Sequence, residues 1–138
     1  MYVGTHERQL DERGRVALPS SYRNVIGDQC FLTVGNEGCV SVMDADRFSA
    51  VADAIVARVE AGTATRAFQR AFAGSVDVAP IDKQGRITVD AELLSHAGVA
   101  PRSPVIVVGA LDRIEIWEPE RWHEQEARGR AQLNEESA

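Results

Sequence analysis

Two short segments of the chain carry the same residue types at the same spacing, in a combination suited to binding a planar, hydrogen-bonding partner. Residues 11–15 read Asp-Glu-Arg-Gly-Arg, and residues 82–86 read Asp-Lys-Gln-Gly-Arg. An arginine guanidinium can donate to O6 and N7 of a guanine edge together, provided that its direction is fixed. The preceding residues can fix it, because an aspartate side chain bonds turn amides and a glycine supplies the positive φ that ends the turn.

The residues of these two loops have expected roles in binding double-stranded DNA. We expect Arg15 and Arg86 to face the bases, while Arg13 and Lys83 at the loop tips meet phosphates. Loop support is assigned to four residues: Asp11, Gly14, Asp82 and Gly85. The alternative interpretation is that the Asp–Arg pairs are structural ion pairs that stabilise the turns. The two interpretations are compatible, since the aspartate can be structural while the arginine divides its bonds between two roles.

Other kinds of chemistry have little support in the sequence. His6, His96 and His123 fall in three different predicted elements, and no spacing of histidine, cysteine and aspartate is typical of a zinc site. No Ser-His-Asp or Cys-His arrangement can be placed, and no glycine-rich phosphate loop precedes a helix. Asp11 and Asp82 could form a carboxylate pair, but a nearby arginine favours ionisation of each. We therefore expect no enzyme activity, metal, cofactor or small-molecule ligand.

The two loops belong to a longer internal repeat. Residues 34–35 align with residues 108–109, and residues 39–43 align with residues 113–117, so the second copy carries a three-residue insertion. Each copy predicts a strand, the loop turn, a second strand, a short helix and a hairpin. Such a unit of about 40 residues is too small to bury a core alone. We therefore predict an α+β fold in which two tandem repeats form a pseudo-twofold β-barrel with peripheral helices, with both turns on one face.

Breaks in the residue pattern divide the chain into four parts. These are a first repeat over 2–50, a helical connection over 45–75, a second repeat over 76–123 and a disordered acidic tail over 129–138. Within the connection, apolar residues at helical spacing predict two helices, over about 45–61 and 64–73. Thr63 is the expected cap of the second helix.

The charge of the chain at first argues against a nucleic-acid partner. The formal net charge is −6, from 15 basic and 21 acidic residues, and a negative protein repels a polyanion. The distribution weakens this objection, because residues 13–23 hold three arginines and no acid. The acidic surplus falls in the middle helices and in the tail. We therefore place the expected DNA contacts at the first loop and its repeat.

Several features favour a cytoplasmic protein. No apolar run approaches the length of about 18 residues that a membrane-spanning helix needs, and the first residues do not form a signal peptide. Cys30 and Cys39 are expected on adjoining strands of one hairpin, too far apart for a disulfide. We expect both to be buried, free thiols and expect no membrane partner.

Three segments give the chain a resemblance to a known family. Residues 11–19 and 82–87 carry the two loop motifs, and residues 109–117 read Gly-Ala-Leu-Asp-Arg-Ile-Glu-Ile-Trp. In this combination the chain resembles the MraZ family, bacterial transcriptional regulators built from two SpoVT–AbrB-type units. The resemblance implies a swapped-hairpin-type barrel, ring-like homo-oligomers and nucleoid association. It also implies binding of short direct repeats in the chain's own promoter and that of a cell-division and cell-wall gene cluster.

The resemblance also implies which residues bind DNA. It points to Arg15 and Arg86, each with an aspartate partner four residues earlier. Family members often have lysine at position 13, where this chain keeps the charge with an arginine. The matching position of the second loop is the neutral Gln84, with Lys83 beside it. We therefore expect the second loop to hold phosphate differently.

The expected function is sequence-specific DNA binding by an oligomeric transcriptional regulator. One arginine–guanine contact gives about 1–3 kcal/mol of discrimination, so two contacts per chain fall short of a typical specific affinity. Linked subunits on repeated sites can raise avidity by about 10²–10⁴. The alternative is a protein-interaction module, an antitoxin-like barrel whose charged loops or acidic tail contact a protein partner.

Overall fold

The computed structural model describes residues 1–137, which form eight β-strands and five α-helices. In chain order these are β1 (Thr5–Gln9), β2 (Arg15–Ala17), α1 (Ser20–Ile26), β3 (Gln29–Val34), β4 (Val40–Met43), α2 (Ala45–Glu60), α3 (Arg66–Ser75), β5 (Asp77–Pro80), β6 (Arg86–Thr88), α4 (Ala91–His96), β7 (Pro104–Gly109), β8 (Ile114–Trp117) and α5 (Pro119–Ser137). The predicted α+β class is confirmed. None of the helices within these residues has the length and apolar character needed to cross a membrane.

The strands of the two repeats interleave in one antiparallel sheet and one separate ribbon. The six-stranded sheet has the order β1-β7-β8-β4-β3-β5, and β2 pairs with β6 to form the two-stranded ribbon. Strands β1, β3 and β4 of the first repeat correspond to β5, β7 and β8 of the second. If each strand is replaced by its equivalent, the same order is obtained, read from the other edge of the sheet. The tandem repeat therefore has a pseudo-twofold axis that passes between β4 and β8 and through the ribbon.

The pairing registers extend this symmetry to individual residues. Leu32 of β3 pairs with Val42 of β4, and Val107 of β7 pairs with Ile116 of β8. Because Val42 and Ile116 are equivalent in the repeat, Leu32 corresponds to Val107. The alignment of residues 34–35 with 108–109 is therefore wrong by one residue.

The hairpin turns explain this shift. Gly35 N donates to Cys39 O at 2.8 Å and closes the first hairpin, whereas Ala110 N donates to Arg113 O at 2.9 Å and closes the second. The second turn is one residue shorter, so the insertion that precedes β7 is one residue longer than the sequence alignment indicates. Both β3 and β7 are apolar on consecutive positions, and such strands give no alternation that would reveal a one-residue slip.

The main core lies between one face of the sheet and the ribbon. Val16 and Ile87 of the ribbon are each 1% exposed and belong to the same apolar cluster as Leu32, Val42 and Val107 of the sheet. Helices α1 and α4 contribute further residues to this cluster, among them Tyr22, Ile26, Leu93 and Leu94. The ribbon is thus fixed to the sheet by its inward side chains.

The longer helices cover the opposite face of the sheet. Phe31 of β3 stacks on Phe48 of α2 with ring centroids 4.5 Å apart, and Phe48 stacks in turn on Phe72 of α3. Trp117 of β8 packs against Trp122 of α5, with centroids 6.1 Å apart. Side chains alternate between the faces of a strand. The ribbon and the helices α2, α3 and α5 therefore lie on opposite sides of the molecule.

Several expectations can be compared with these elements. The pairing in residues 1–137 leaves β1 and β5 as edges of an open sheet, so the swapped-hairpin barrel stays a prediction. The two helices of the connection are confirmed, but Thr65, rather than Thr63, caps α3 by accepting from Phe68 N at 3.1 Å. Cys30 and Cys39 are free and buried, as expected.

The end of the chain differs from the expected disordered tail. Helix α5 continues to Ser137, through all but the last residue of the segment 129–138, and residue 138 lies outside the described residues. The tail is poor in large apolar residues, which favours disorder. It is rich in alanine, arginine, glutamine and glutamate, which have high helix propensity. The pair between Arg130 and Glu126 one helical turn apart adds to this propensity.

Candidate nucleic-acid interface

The first loop is a tight turn organised by one carboxylate. Gly14 N donates to Asp11 O at 3.2 Å, which closes the turn. Oδ1 of Asp11 accepts from the backbone amides of Arg13 at 2.9 Å and Arg15 at 2.8 Å. Oδ2 accepts from Nε of Arg15 at 2.6 Å. The aspartate therefore holds both the backbone of the turn and the guanidinium that follows it.

The second loop repeats this arrangement bond by bond. Gly85 N donates to Asp82 O at 2.9 Å, and Oδ1 of Asp82 accepts from the amides of Gln84 and Arg86, both at 2.9 Å. Oδ2 accepts from Nε of Arg86 at 3.0 Å. The second turn has Gln84 where the first has Arg13. The turn is the same in both loops, because each of these residues contributes only its backbone amide.

Both aspartates are held in their ionised form. The hydrogen bond from the Arg15 backbone amide lowers the pKa of Asp11, and the Arg15 guanidinium adds to this effect. The backbone amide and guanidinium of Arg86 lower the pKa of Asp82 in the same way. Two ionised carboxylates with arginine partners are unsuited to the transfer of a proton between them.

Two glycines allow the turns to run directly into the ribbon. Gly14 has φ +77° and Gly85 has φ +75°, which is the left-handed region that L side chains rarely adopt. Both are also tightly surrounded. A Cβ on Gly14 would lie 2.9 Å from the carbonyl oxygen of Val89, whose amide donates to Gly14 O at 2.8 Å. Each turn is therefore attached to the opposite strand of the ribbon as well as to its own.

The ribbon places four side chains on its outward face. Arg15 lies opposite Thr88, and Arg86 lies opposite Ala17. Because Val16 and the Ile87 that faces it point into the core, the residues that alternate with them point away from it. Arg15 and Arg86 are thus on diagonal positions, which lie about 7–8 Å apart in an antiparallel pair, with their Cβ atoms somewhat closer.

The two guanidiniums are anchored but still accessible. The side chain of Arg15 is 30% exposed and that of Arg86 is 31% exposed. Within residues 1–137, the hydrogen bonds of each guanidinium come from Nε, which the aspartate takes. The terminal Nη atoms are left for a partner outside the chain. The geometry brings together the two arginines that the sequence predicts as base-facing, on one surface and with related orientations.

The predicted phosphate-contacting residues lie at the two ends of the ribbon. Arg13 and Lys83 are exposed at the tips of the first and second turn. Since β2 and β6 are antiparallel, these tips are at opposite ends of the same face. At the first tip, Nη2 of Arg102 bonds Oε2 of Glu12 at 2.6 Å, so the acid beside Arg13 is neutralised by a base.

The two loop sequences alone do not reveal a further basic residue at the second turn, Arg23. The guanidinium of Arg23, on α1, lies against Gly85, where a Cβ would come within 2.3 Å of its Cζ atom. Nε of Arg23 donates to Leu18 O at 3.2 Å, which fixes the side chain at this place. The other half of the molecule has the equivalent contact: Leu94, which corresponds to Arg23 in the repeat, lies 3.5 Å from where a Cβ on Gly14 would be. The two contacts are related by the repeat.

The surplus of negative charge lies away from these loops. Residues 11–29 hold three arginines and three acids, and residues 82–103 hold three basic residues and three acids, so both segments are neutral. Helix α5, on the other side of the sheet, holds five glutamates and three arginines. The net charge of −6 therefore comes from parts of the chain outside the loop-bearing segments.

Comparisons with known proteins agree on one family. The family model described as "MraZ protein, putative antitoxin-like" matches residues 1–71 and again residues 71–138, once for each repeat. The chain is 37% identical over 123 residues to the transcriptional regulator MraZ of Saccharopolyspora erythraea, which covers 88% of this chain and 84% of the relative. It is 35% identical over 127 residues to that of Thermobifida fusca, covering 92% and 87%.

A third relative extends the match over almost the entire chain. The transcriptional regulator MraZ of a Nocardioides species is 35% identical over 134 residues, which cover 97% of this chain and 92% of the relative. Together with the two matched units, this similarity shows that the chain belongs to the MraZ family.

Proposed function

We propose that this chain is a DNA-binding transcriptional regulator that reads base edges with the outward face of the β2–β6 ribbon. The observation that carries the proposal is the pair of aspartate-anchored guanidiniums, Arg15 and Arg86, on one exposed face. The major groove of B-DNA admits a two-stranded β-ribbon. The names of the relatives, which are transcriptional regulators, support the same function.

The anchoring explains how such a contact would be specific. The bond from Nε to the aspartate leaves the two Nη atoms of each guanidinium as a fork, and this fork matches the O6 and N7 acceptors of guanine. An anchored side chain loses little further conformational entropy when it binds. Arg15 and Arg86 are therefore the base-reading residues of the proposal, and Asp11 and Asp82 are positioning residues.

Three further basic residues fit phosphate contacts on either side of the bases. Arg13 lies at the tip of the first turn, while Lys83 and Arg23 lie at the second. The loss of a tip arginine in the second loop, where Gln84 stands, is thus compensated by a residue from α1 of the first repeat. Contacts of this kind give affinity and register without sequence information.

The proposal includes an oligomer, because one ribbon offers too few contacts. Two arginine–guanine contacts supply about 2–6 kcal/mol, which reaches only the lower part of the range of about 4–10 kcal/mol that separates specific from non-specific binding. We propose that a ring-like homo-oligomer binds direct repeats in the chain's own promoter and in that of a cell-division and cell-wall gene cluster, on the nucleoid in the cytoplasm. The swapped-hairpin-type barrel and the boundaries 2–50, 45–75 and 76–123 belong to this proposal.

A binding titration tests the function directly. The chain is titrated against a duplex that spans the DNA upstream of its own coding sequence, and against a shuffled duplex of equal length, at several salt concentrations. We expect tighter binding to the upstream duplex and a steep fall of affinity with salt. Equal affinity for both duplexes, or no binding at low salt, would refute the proposal.

The family description also favours a second candidate, an antitoxin-like module that binds a protein. Residues 131–136 at the end of α5 are exposed, and they include Leu133, Glu135 and Glu136, which suit a basic protein partner. Deletion of residues 129–138 separates the candidates. The DNA-binding proposal predicts unchanged affinity for the upstream duplex, whereas the second candidate predicts that a protein contact is lost while DNA plays no part.

A further inference from the structure

We propose that Thr88 and Ala17 give the ribbon a direction on DNA, so that one chain reads a non-palindromic element in a single orientation. This inference rests on the proposed function and concerns the same outward face. It follows from a place where the pseudo-twofold symmetry of the ribbon fails between the two arginines.

The arginines alone cannot set a direction. The exchange of the two repeats carries Arg15 onto Arg86, and the aspartate anchors are the same at both. A symmetric protein surface reads symmetric DNA, because the two strands of the duplex are themselves related by twofold axes. A ribbon face made only of these two residues would therefore select a palindrome and bind it equally well in either orientation.

The residues beside the arginines break this symmetry. Ala17 and Thr88 are equivalent in the repeat, but Thr88 lies opposite Arg15 and Ala17 lies opposite Arg86. One end of the face thus presents a guanidinium with a hydroxyl and a methyl group, and the other presents a guanidinium with a methyl group alone. A threonine hydroxyl can donate to or accept from a base edge, while an alanine methyl favours contact with the methyl group of thymine.

Both residues are placed where a base edge can reach them. Thr88 is exposed and Ala17 is partly exposed, since they alternate with the inward Val16 and Ile87. The difference between the two ends of the face is therefore available to a ligand.

The other asymmetric positions have a different consequence. Arg13 has Gln84 as its equivalent, Lys83 has Glu12 and Arg23 has Leu94, but the proposed partners of these basic residues are phosphates. Every sequence offers the same phosphates on both strands, so contacts to them do not distinguish one orientation from the other. The difference between Thr88 and Ala17 lies beside the base-reading arginines, so it can distinguish the two orientations.

The structure offers a matched pair of positions for measuring orientation. Ser21 on α1 and Glu92 on α4 are exposed and equivalent in the repeat. The side chain of Arg23 from α1 lies on the second turn, and that of Leu94 from α4 lies on the first, so the two positions flank opposite ends of the ribbon. S21C and E92C can each carry an iron–EDTA group that cleaves nearby DNA.

The native thiols do not interfere with this labelling. Cys30 and Cys39 are both 0% exposed. Burial raises the pKa of each thiol to about 12, so neither is a reactive thiolate near neutral pH. The introduced cysteine is therefore the labelled one, and the natural chain needs no other change.

The experiment first selects duplexes from a random library with the unlabelled chain and then maps cleavage on the selected element. We expect a non-palindromic element, with the probe at position 21 cutting on one side of it and the probe at position 92 cutting on the other. T88A and A17T, which make the two ends of the face alike, should give cleavage on both sides by each probe. The double variant A17T/T88A should reverse the pattern of the wild type.

A variant away from the ribbon serves as the control for the cleavage pattern. T5A changes an exposed threonine on β1, away from the ribbon, and should leave the pattern unchanged. Selection of a palindrome, or a cleavage pattern that the double variant does not reverse, would overturn this inference while the DNA-binding proposal stands. Failure of the wild-type chain to select any duplex would instead overturn the proposed function, and the inference with it.

Discussion

Arg15 and Arg86 lie on diagonal positions of one β-ribbon, and the Nε atom of each donates to an aspartate four residues earlier, at 2.6 and 3.0 Å. The chain thus carries two guanidiniums whose directions are set by the turns that precede them. Because the anchors use Nε and the backbone amides, the fork of Nη atoms stays accessible. The predictions below separate what holds this arrangement together from what it binds.

The aspartate anchors predict how stability depends on pH. The pKa of Asp11 and that of Asp82 are both lowered in the folded chain, first by a backbone amide and then by the guanidinium. Their contribution is complete above the ordinary aspartate pKa of about 3.9 and is lost as the pH falls through the lowered folded values. The variant D11N/D82N should therefore have a melting temperature that depends less on pH between about 5 and 2.

This dependence is measured by thermal melting of the wild type and the double variant across the acidic range. D53N, which removes an exposed carboxylate from α2, is the matched control and should melt with the wild-type pH dependence. Parallel curves for the wild type and D11N/D82N would show that the anchors do not stabilise the turns.

The turn glycines predict a loss of stability on addition of a single methyl group. G14A forces a left-handed backbone, at a cost of about 1–2 kcal/mol. It also brings Cβ to 2.9 Å from the Val89 carbonyl oxygen. G85A carries the same backbone cost but should destabilise the chain less than G14A, because the Arg23 guanidinium that its Cβ meets is the end of a flexible side chain and can move aside. Urea unfolding measures both free energies.

Gly74 supplies the opposite control. It lies in α3, where a Cβ would meet no atom within 4 Å, so G74A should stabilise the chain by about 0.5–1 kcal/mol. Equal effects of G14A and G74A on the free energy of unfolding would contradict the role given to the turn.

The position of Arg23 predicts a change in the salt dependence of binding. R23Q should weaken binding to all duplexes alike, and it should reduce the slope of log K against log salt concentration by about 0.9, the value for one phosphate contact. R70Q, which removes an exposed arginine from α3 on the other side of the sheet, should leave the slope unchanged. A lower melting temperature of R23Q with an unchanged slope would give Arg23 a purely structural role.

The sequence predicted the turns well because their geometry is local. The spacing of Asp11, Gly14 and Arg15 is sufficient to close the turn and direct the guanidinium, whatever surrounds it. The same holds for the caps and apolar stripes of the helical connection, with the cap shifted by two residues to Thr65.

Other features depend on contacts between the repeats and were not accessible in this way. Arg23 reaches Gly85 because the ribbon brings the second turn beside α1, and no local pattern records that approach. The alignment of residues 34–35 with 108–109 was wrong by one residue because β3 and β7 have few polar residues to mark their faces. In the tail, helix propensity outweighed the lack of apolar residues, and α5 continues to Ser137.

The most direct test of the central claim is the affinity of R15A and R86A for the duplex selected by the wild-type chain, with R70Q as the control. Loss of one arginine–guanine contact, worth about 1–3 kcal/mol, predicts a Kd raised by about 5- to 150-fold for each variant. Discrimination against duplexes without the contacted guanine should fall, while the oligomeric state stays unchanged. The melting temperature should fall only slightly, because each aspartate keeps its two backbone-amide bonds. Wild-type Kd and discrimination in both variants would contradict the claim that these guanidiniums read DNA.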